Sequence, residues 1–419
     1  MNKFLPFLIK NIFICFLLLV TFTGVSQEIN DSTFLPTPTG KYQVGTTELF
    51  LTDSSRKERF KKRDFRRVYI KIWYPAMDVH QQSPDLYLQN YSEELIHSIF
   101  KTKDFSEDWL GELKKQRTFS YPNASIDTSL LKYPMIVFTP GYYFGMAELY
   151  SVYMEELASR GYIVCSVNHP YEQPYISFPD KDIYIKKKRT QWAYLQLVFA
   201  NWFQFRKKDS QEKIEKTTRY YHKMLHRFNK ALDYWVDDTR FFLDYIQAAQ
   251  ANTNNAVLKA IDMSRIGGLG QSFGGAVIGQ LCLKDERLKA GINLDCFQFG
   301  DVIDEPLKQP FMLMQSDYQP SWNLGNTINY RDNTGAFFLL SLHGASHFIF
   351  SDGAVLPYYS TEFKNRMIGK VDGLYLLKTS NAYMLDFFDH YLKEQQVDLL
   401  FKDMKTDSYE FNYREAHKH

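Results

Sequence analysis

The chain has 419 residues, 45% of them hydrophobic and 23% charged, with a formal net charge of +2. This balance excludes a disordered chain and leaves room for one large domain or two ordinary ones. It also excludes a strong field for steering nucleic acid.

The N-terminus, MNKFLPFLIKNIFICFLLLVTFTGVSQE, carries Lys3 and Lys10 and then no charge until Glu28. Its apolar heart, Ile12 to Val20, is short for a membrane span. Gly24-Val25-Ser26 offers the small residues a signal peptidase prefers, so residues 1–26 are expected to be a signal peptide cut after Ser26 and the protein periplasmic or extracellular. An uncleaved anchor is the rival reading. Cys15 has no lipoprotein-type cleavage box before it. Cleavage removes two lysines and no acid and brings the charge to about zero. The basic run Arg56 to Arg67 is then local, and it is expected to solvate a connection between two strands. Cys165, Cys282 and Cys296 are odd in number, widely spaced and set in apolar stretches, so they read as buried hydrophobes. No Cys/His cluster has zinc spacing.

Further along, KYQVGTTELFL and RRVYIKIWYP read as strands. Residues 77–130 are polar and read as an irregular excursion. YPMIVFTPG is an apolar strand, AELYSVYMEELASRG a helix stopping at Gly161, and YIVCSVNHP another strand. After an insertion at about 172–236, DDTRFFLDYIQAAQA is a helix, SRIGGLG a strand, FGGAVIGQLCL a helix and KAGINLD a strand. QPFMLMQSD and AFFLLSLHG are two more strands, and NAYMLDFFDHYLK is a closing helix. Apolar strands alternating with helices predict an α/β fold, a mostly parallel sheet covered on both faces.

Within IGGLGQSFGGAVIG, Ser272 sits among six glycines. In a strand–turn–helix, G-x-S-x-G places the serine on a cramped turn with its hydroxyl projecting clear of both elements. A serine hydroxyl needs a base, and the base needs an acid to hold its tautomer. LLSLHGASHF supplies His343, still in the strand run, and His347, which follows Gly344 into the loop. His347 is the better placed; His222, His226, His417 and His419 are worse. Asp295 and Asp317 each end a strand at the carboxyl edge of the sheet, and position alone leaves both open as the acid.

The segments PTGKYQVGTTELFLTD, VYIKIWYPA, YPMIVFTPG, LASRGYIVCSVNHP, GQSFGGA, GINLDC and GASHF, in that order, resemble the platelet-activating-factor acetylhydrolases of plasma type. These are α/β-hydrolases with many bacterial relatives, and the chain is read as a bacterial member. The likeness covers most of residues 36–350, leaving out 77–130 and roughly 172–236. It implies that the acid follows the strand after the nucleophile helix in an LD context, which is Asp295, with Asp317 a pocket or structural residue.

An oxyanion needs preorganised N–H donors. One is expected at Phe273, after the serine, and the other at Tyr142 in the loop TPGYYFG. The family's usual His-Gly pair is Pro140-Gly141 here, a departure that spares a backbone donor and changes the side chain on the substrate side. His169 matches a family histidine and is read as structural or pocket-lining. The ring-rich segment Thr190 to Lys208, with its cationic end, is expected to be a lid-like helix, either packed over the mouth or meeting lipid.

The expectation is an exported serine ester hydrolase with Ser272 as nucleophile, His347 as base and Asp295 as acid, needing no metal or organic cofactor. Short-acyl phospholipids or small esters are the expected substrates, with contact to a lipid surface allowed for. The alternatives are a polyester, cutinase-like or dienelactone-type hydrolase, and a non-catalytic binding member of the fold.

Overall fold

The computed structural model describes residues 33–99, 105, 108–186 and 209–416. The expected signal peptide and the segment 190–208 lie outside the described residues.

The chain opens with two long antiparallel strands, β1 (Gln43–Lys57) and β2 (Phe65–Met77). The excursion that follows holds helices α1 (Glu93–Ile99) and α2 (Trp109–Lys115) and short strands β3 (Ser120–Pro122) and β4 (Ser125–Ile126). Then come β5 (Tyr133–Thr139), α3 (Ser151–Ser159) and β6 (Ile163–Asn168). A small hairpin, β7 (Tyr175–Phe178) with β8 (Lys181–Tyr184), precedes helices α4 (Gln211–Met224), α5 (His226–Ala249) and α6 (Ala256–Ala260). The second half runs β9 (Ile261–Gln271), α7 (Phe273–Lys284), β10 (Leu288–Leu294), β11 (Phe311–Ser316), α8 (Pro320–Asn329) and β12 (Phe337–Leu342). It closes with α9 (Thr361–Met367), α10 (Gly373–Lys393), β13 (Met404–Lys405) and β14 (Tyr409–Arg414).

The main sheet has the order β13-β14-β12-β11-β10-β9-β5-β6-β2-β1-β3, with β4 on β2. From β12 through β6 every neighbouring pair is parallel. The chain reverses its direction of growth at β5, which lies between β6 and β9, and loops from both sides of such a switch point meet over one crevice. The register aligns the strand ends, because Gly270 stands opposite Thr139 on one side and Asn293 on the other.

Side chains alternate along these strands. On β5, Ile136 and Phe138 join one core and Tyr133, Met135 and Val137 the other. The first core packs under α3 and α10, with Leu157, Met384 and Phe388 inside it. The second packs under α5 and α7, with Trp235, Phe242 and Ile278. A sheet buried on both faces needs apolar residues at every position, which is why β5 and β6 read as unbroken apolar runs.

Three features differ from the sequence reading. The excursion is organised rather than irregular: Tyr87, Leu88, Trp109 and Leu113 are buried in the first core. The C-terminal hairpin β13–β14, which adds an antiparallel edge beyond β12, was not expected. The basic run between β1 and β2 does not merely solvate a turn. Arg66 is fully buried, with Nη1 donating to Glu58 at 2.8 Å and Nε to Asp238 of α5 at 3.0 Å.

Candidate active site

The turn after β9 brings the serine out at the switch point. Ser272 has φ +54° and ψ −133°, a region that costs a non-glycine residue about 1–3 kcal/mol and is kept only where surroundings enforce it. Two glycines provide that enforcement. A Cβ on Gly274 would sit 1.9 Å from the Thr139 carbonyl oxygen, and one on Gly270 would sit 2.1 Å from that of Gly274. With both bare, strand β9 and helix α7 close on the end of β5, where the Thr139 hydroxyl donates to the Gly274 carbonyl at 2.8 Å. Ser272 keeps partial exposure, while Gln271 and Phe273 on either side are buried.

Asp295 follows β10 with φ +62°. Its N–H donates to the Met314 carbonyl at 2.7 Å, which pins the turn against β11. Its carboxylate accepts from the Ser316 N–H at 2.6 Å, the Ser316 hydroxyl at 2.8 Å and Nδ1 of His347 at 2.7 Å. An Nδ1–H held by a carboxylate leaves the lone pair on Nε2, which is the tautomer a general base requires. The Tyr318 ring stacks over the imidazole, with centroids 5.5 Å apart.

Asp317 is elsewhere engaged. Its Oδ2 accepts from the Gly344 N–H at 2.7 Å and its own N–H donates to Ala345 at 3.2 Å, so it braces the loop that carries His347. His343, just past β12, donates its N–H to Ser408 of the C-terminal hairpin. The structure therefore brings Asp295 and His347 together and leaves Asp317 and His343 outside the pair. Ser272 Oγ makes no hydrogen bond to His347 among the described residues; Nε2 instead faces Nε2 of Gln271 at 3.4 Å.

The two expected oxyanion donors flank the serine. A Cβ on Gly141 would lie 3.2 Å from the Ser272 Cβ, which fixes how closely the loop after β5 approaches the elbow. The rings of Tyr142 and Phe273 meet at 5.5 Å, and both pack on Trp235 of α5. The Tyr143 N–H donates to the Glu172 carbonyl at 3.1 Å, tying down the loop. Burial and the nearby Glu172 carboxylate push the Tyr142 phenol well above its ordinary range.

His169 belongs to a separate buried cluster. Its Nδ1 meets Asp238 at 2.8 Å, and its ring stacks on Trp235 at 3.8 Å. Burial pushes its imidazole down to about 4, although Asp238 opposes this. Burial alone would raise the Asp238 carboxyl, but Arg66 and His169 outweigh it and hold the group far below the carboxylate range.

Beside the site lies an apolar cavity of about 200 Å³. The excursion supplies Tyr87, Trp109 and Leu113 to its wall; Phe144 comes from the loop after β5, and Phe348 directly follows His347. Asp352 fastens this wall to the body, accepting from the Tyr87 hydroxyl at 3.0 Å and from the Val152 N–H of α3 at 3.0 Å. Burial pushes its carboxyl up to about 7. The early excursion thus supplies part of this wall. Among the described residues no group of three or more His, Cys, Asp or Glu converges as metal ligands would.

Sequence reasoning missed Ser316, Gln271 and Tyr150. Ser316 adjoins the candidate Asp317 in the QSD run and was overlooked for it. Gln271 lies inside the elbow motif at a position the motif leaves unspecified.

The sheet order and the elbow define an α/β-hydrolase, and a solved structure of like architecture agrees. A ferulic acid esterase from Streptomyces cinnamoneus superposes with a TM-score of 0.64 at 22% identity, covering 88% of this chain and 95% of that one. The family described as platelet-activating factor acetylhydrolase, isoform II, matches residues 27–409, and the chain belongs to that family. Platelet-activating factor acetylhydrolase of Cavia porcellus is 24% identical over 373 residues, spanning 86% of this chain and 78% of that protein. A probable 1-alkyl-2-acetylglycerophosphocholine esterase of Arthroderma benhamiae is 25% identical over 301 residues, spanning 68% and 64%. The protein is a carboxylic ester hydrolase.

Proposed function

We propose that the chain hydrolyses short-acyl phospholipids or related small carboxylic esters through Ser272, His347 and Asp295. The observation that carries this reading is the 2.7 Å bond from His347 Nδ1 to Asp295, which leaves the lone pair on Nε2 facing the elbow that holds the strained serine. Ser272 Oγ turns to Nε2 and loses its proton there as Oγ attacks the acyl carbon. The carbonyl oxygen, now negative, takes the N–H groups of Tyr142 and Phe273. His347 passes its proton to the departing alkoxide, and the alcohol leaves an acyl-Ser272. Water, deprotonated by His347, attacks that ester. The acid departs and Ser272 recovers its proton. Resting hydrogen bonds of such sites are often long and tighten on substrate binding, so an unengaged Ser272 hydroxyl is compatible with this sequence of steps.

The apolar cavity between Phe144 and Phe348 suits a hydrocarbon part of the substrate. A relative named for 1-alkyl-2-acetylglycerophosphocholine points to a small acyl group and an alcohol part that carries an alkyl chain. Export by residues 1–26 completes the proposal; N-terminal sequencing of the secreted protein is expected to begin at Gln27. The activity is tested with p-nitrophenyl acetate, butyrate and octanoate, beside Ser272→Ala. The expected result is turnover by the native chain, falling with acyl length, and none above background by the variant. Equal rates for the two forms would sink the reading.

A further inference from the structure

The base is held from both ends. Asp295 takes Nδ1; the other nitrogen faces a side chain for which the elbow motif specifies nothing. Gln271 is 3% exposed, and a buried amide must place both its donor and its acceptor. Its Oε1 accepts from the Tyr150 hydroxyl at 2.8 Å. Tyr150 is itself buried, and the Gly141 N–H faces its oxygen, so its single proton is committed to Gln271. This settles which way the amide points. With Oε1 turned to Tyr150, Nε2 is the atom that faces His347, at 3.4 Å, and its N–H meets the lone pair that Asp295 leaves there. A flipped amide would set Oε1 against the same lone pair, two acceptors in contact.

We propose that Gln271 is a positioning residue for the base: its N–H, aimed by Tyr150, holds Nε2 of His347 over the elbow in the resting protein, and the Ser272 hydroxyl replaces it when substrate enters. The link runs from Gly141, in the loop that carries the Tyr142 donor, through Tyr150 and Gln271 to the imidazole. It therefore sets the base and the oxyanion loop in one frame. No covalent step is added to the mechanism, and the proposal rests on the reading of His347 as base.

The test uses Gln271→Leu, which removes the donor, Gln271→Glu, which presents an acceptor, and Tyr150→Phe, which removes the proton that aims the amide. Two readouts are taken: the titration of the His347 ring by NMR on histidine-labelled protein, and steady-state hydrolysis of p-nitrophenyl acetate. The other groups around the ring are common to all variants: Asp295 on Nδ1, the Tyr318 ring above it and Asp317 turned away to Gly344. A carboxylate at 271 favours the protonated ring, so the Gln271→Glu midpoint is expected to rise by about one pH unit over the native protein. Gln271→Leu is expected to lower kcat about ten-fold with KM little changed, because the loss is of orientation rather than of substrate binding. Tyr150→Phe should fall between native and Gln271→Leu. An unmoved midpoint in Gln271→Glu, or native kcat in Gln271→Leu, overturns the inference. The NMR titration needs no turnover, so a protein that titrates as expected yet hydrolyses no ester would sink the proposed activity and leave the positioning role standing.

Discussion

Among the described residues, two imidazole–carboxylate pairs have nearly equal geometry. Nδ1 of His347 lies 2.7 Å from Asp295, and Nδ1 of His169 lies 2.8 Å from Asp238. What surrounds them differs. The His347 side chain keeps 15% exposure at the carboxyl edge of the sheet, and its Nε2 faces the elbow. The His169 ring has no exposure, lies flat on Trp235, and its Nε2 is buried without a partner. Asp238 also receives Arg66 and Arg56, so its charge is spent on holding β1, β2 and α5 together. On the proposed reading, a dyad acquires a chemical role from access and from a neighbouring nucleophile, while the sealed copy is a structural clamp.

The strongest way to break this comparison is to disable each pair in turn. Ser272→Ala and His347→Gln are each expected to cut kcat by about 10⁴-fold or more, and Asp295→Asn by about 10⁴, with the fold intact by circular dichroism. Asp317→Asn, which loses only the brace on Gly344, should stay within about ten-fold, and His169→Gln likewise. The assignment of the acid reverses if Asp317→Asn alone is inactive. The division into an active and a structural pair fails if His169→Gln matches His347→Gln in activity while remaining folded.

Asp238→Asn sharpens the contrast from the other side. It leaves Arg66 buried with a single carboxylate, Glu58, and breaking a buried pair in this way costs about 3–5 kcal/mol. Urea unfolding should show that loss, while kcat of the protein still folded stays near native.

Much of this division can be traced to what a sequence displays. The elbow was legible because Gly270 and Gly274 are demanded by a local clash, and local clashes leave a local pattern. The pairing of His347 was legible as a candidate because topology would put a base after the last parallel strand. The acid was not separable by position, since Asp295 and Asp317 both end strands at one edge, and only the family resemblance favoured Asp295. Arg66 looked like part of a solvated basic run because its partner Asp238 lies 172 positions away. The Tyr150–Gln271 bond spans 121 positions and obeys no periodicity, so nothing along the chain announces it. The same holds for the excursion: α1 and α2 are short, and Trp109 and Leu113 line a cavity with Phe348, Tyr359 and Phe363, all distant in sequence.

The finest test of the sealed pair is its response to acid. His169 has an ordinary value of 6.5 and is pushed by burial to about 4, so between these limits the unfolded chain binds a proton that the folded protein refuses. Stability contributed by the neutral ring is fully present above pH 6.5 and is lost as pH falls through that window, by about 3 kcal/mol on reaching pH 4. His169→Gln cannot take up the proton, and its amide retains a donor for Asp238. Plotted against pH, the unfolding free energy of the native protein relative to His169→Gln is expected to be flat above 6.5 and to decline below it. A difference that stays level down to pH 4 would mean the ring is charged in the fold, with the unpartnered Nε2 able to hold a proton. Charge on that ring beside Asp238 and Arg66 would make the clamp a titrating site, and the distinction between the two pairs would then rest on the nearby serine alone.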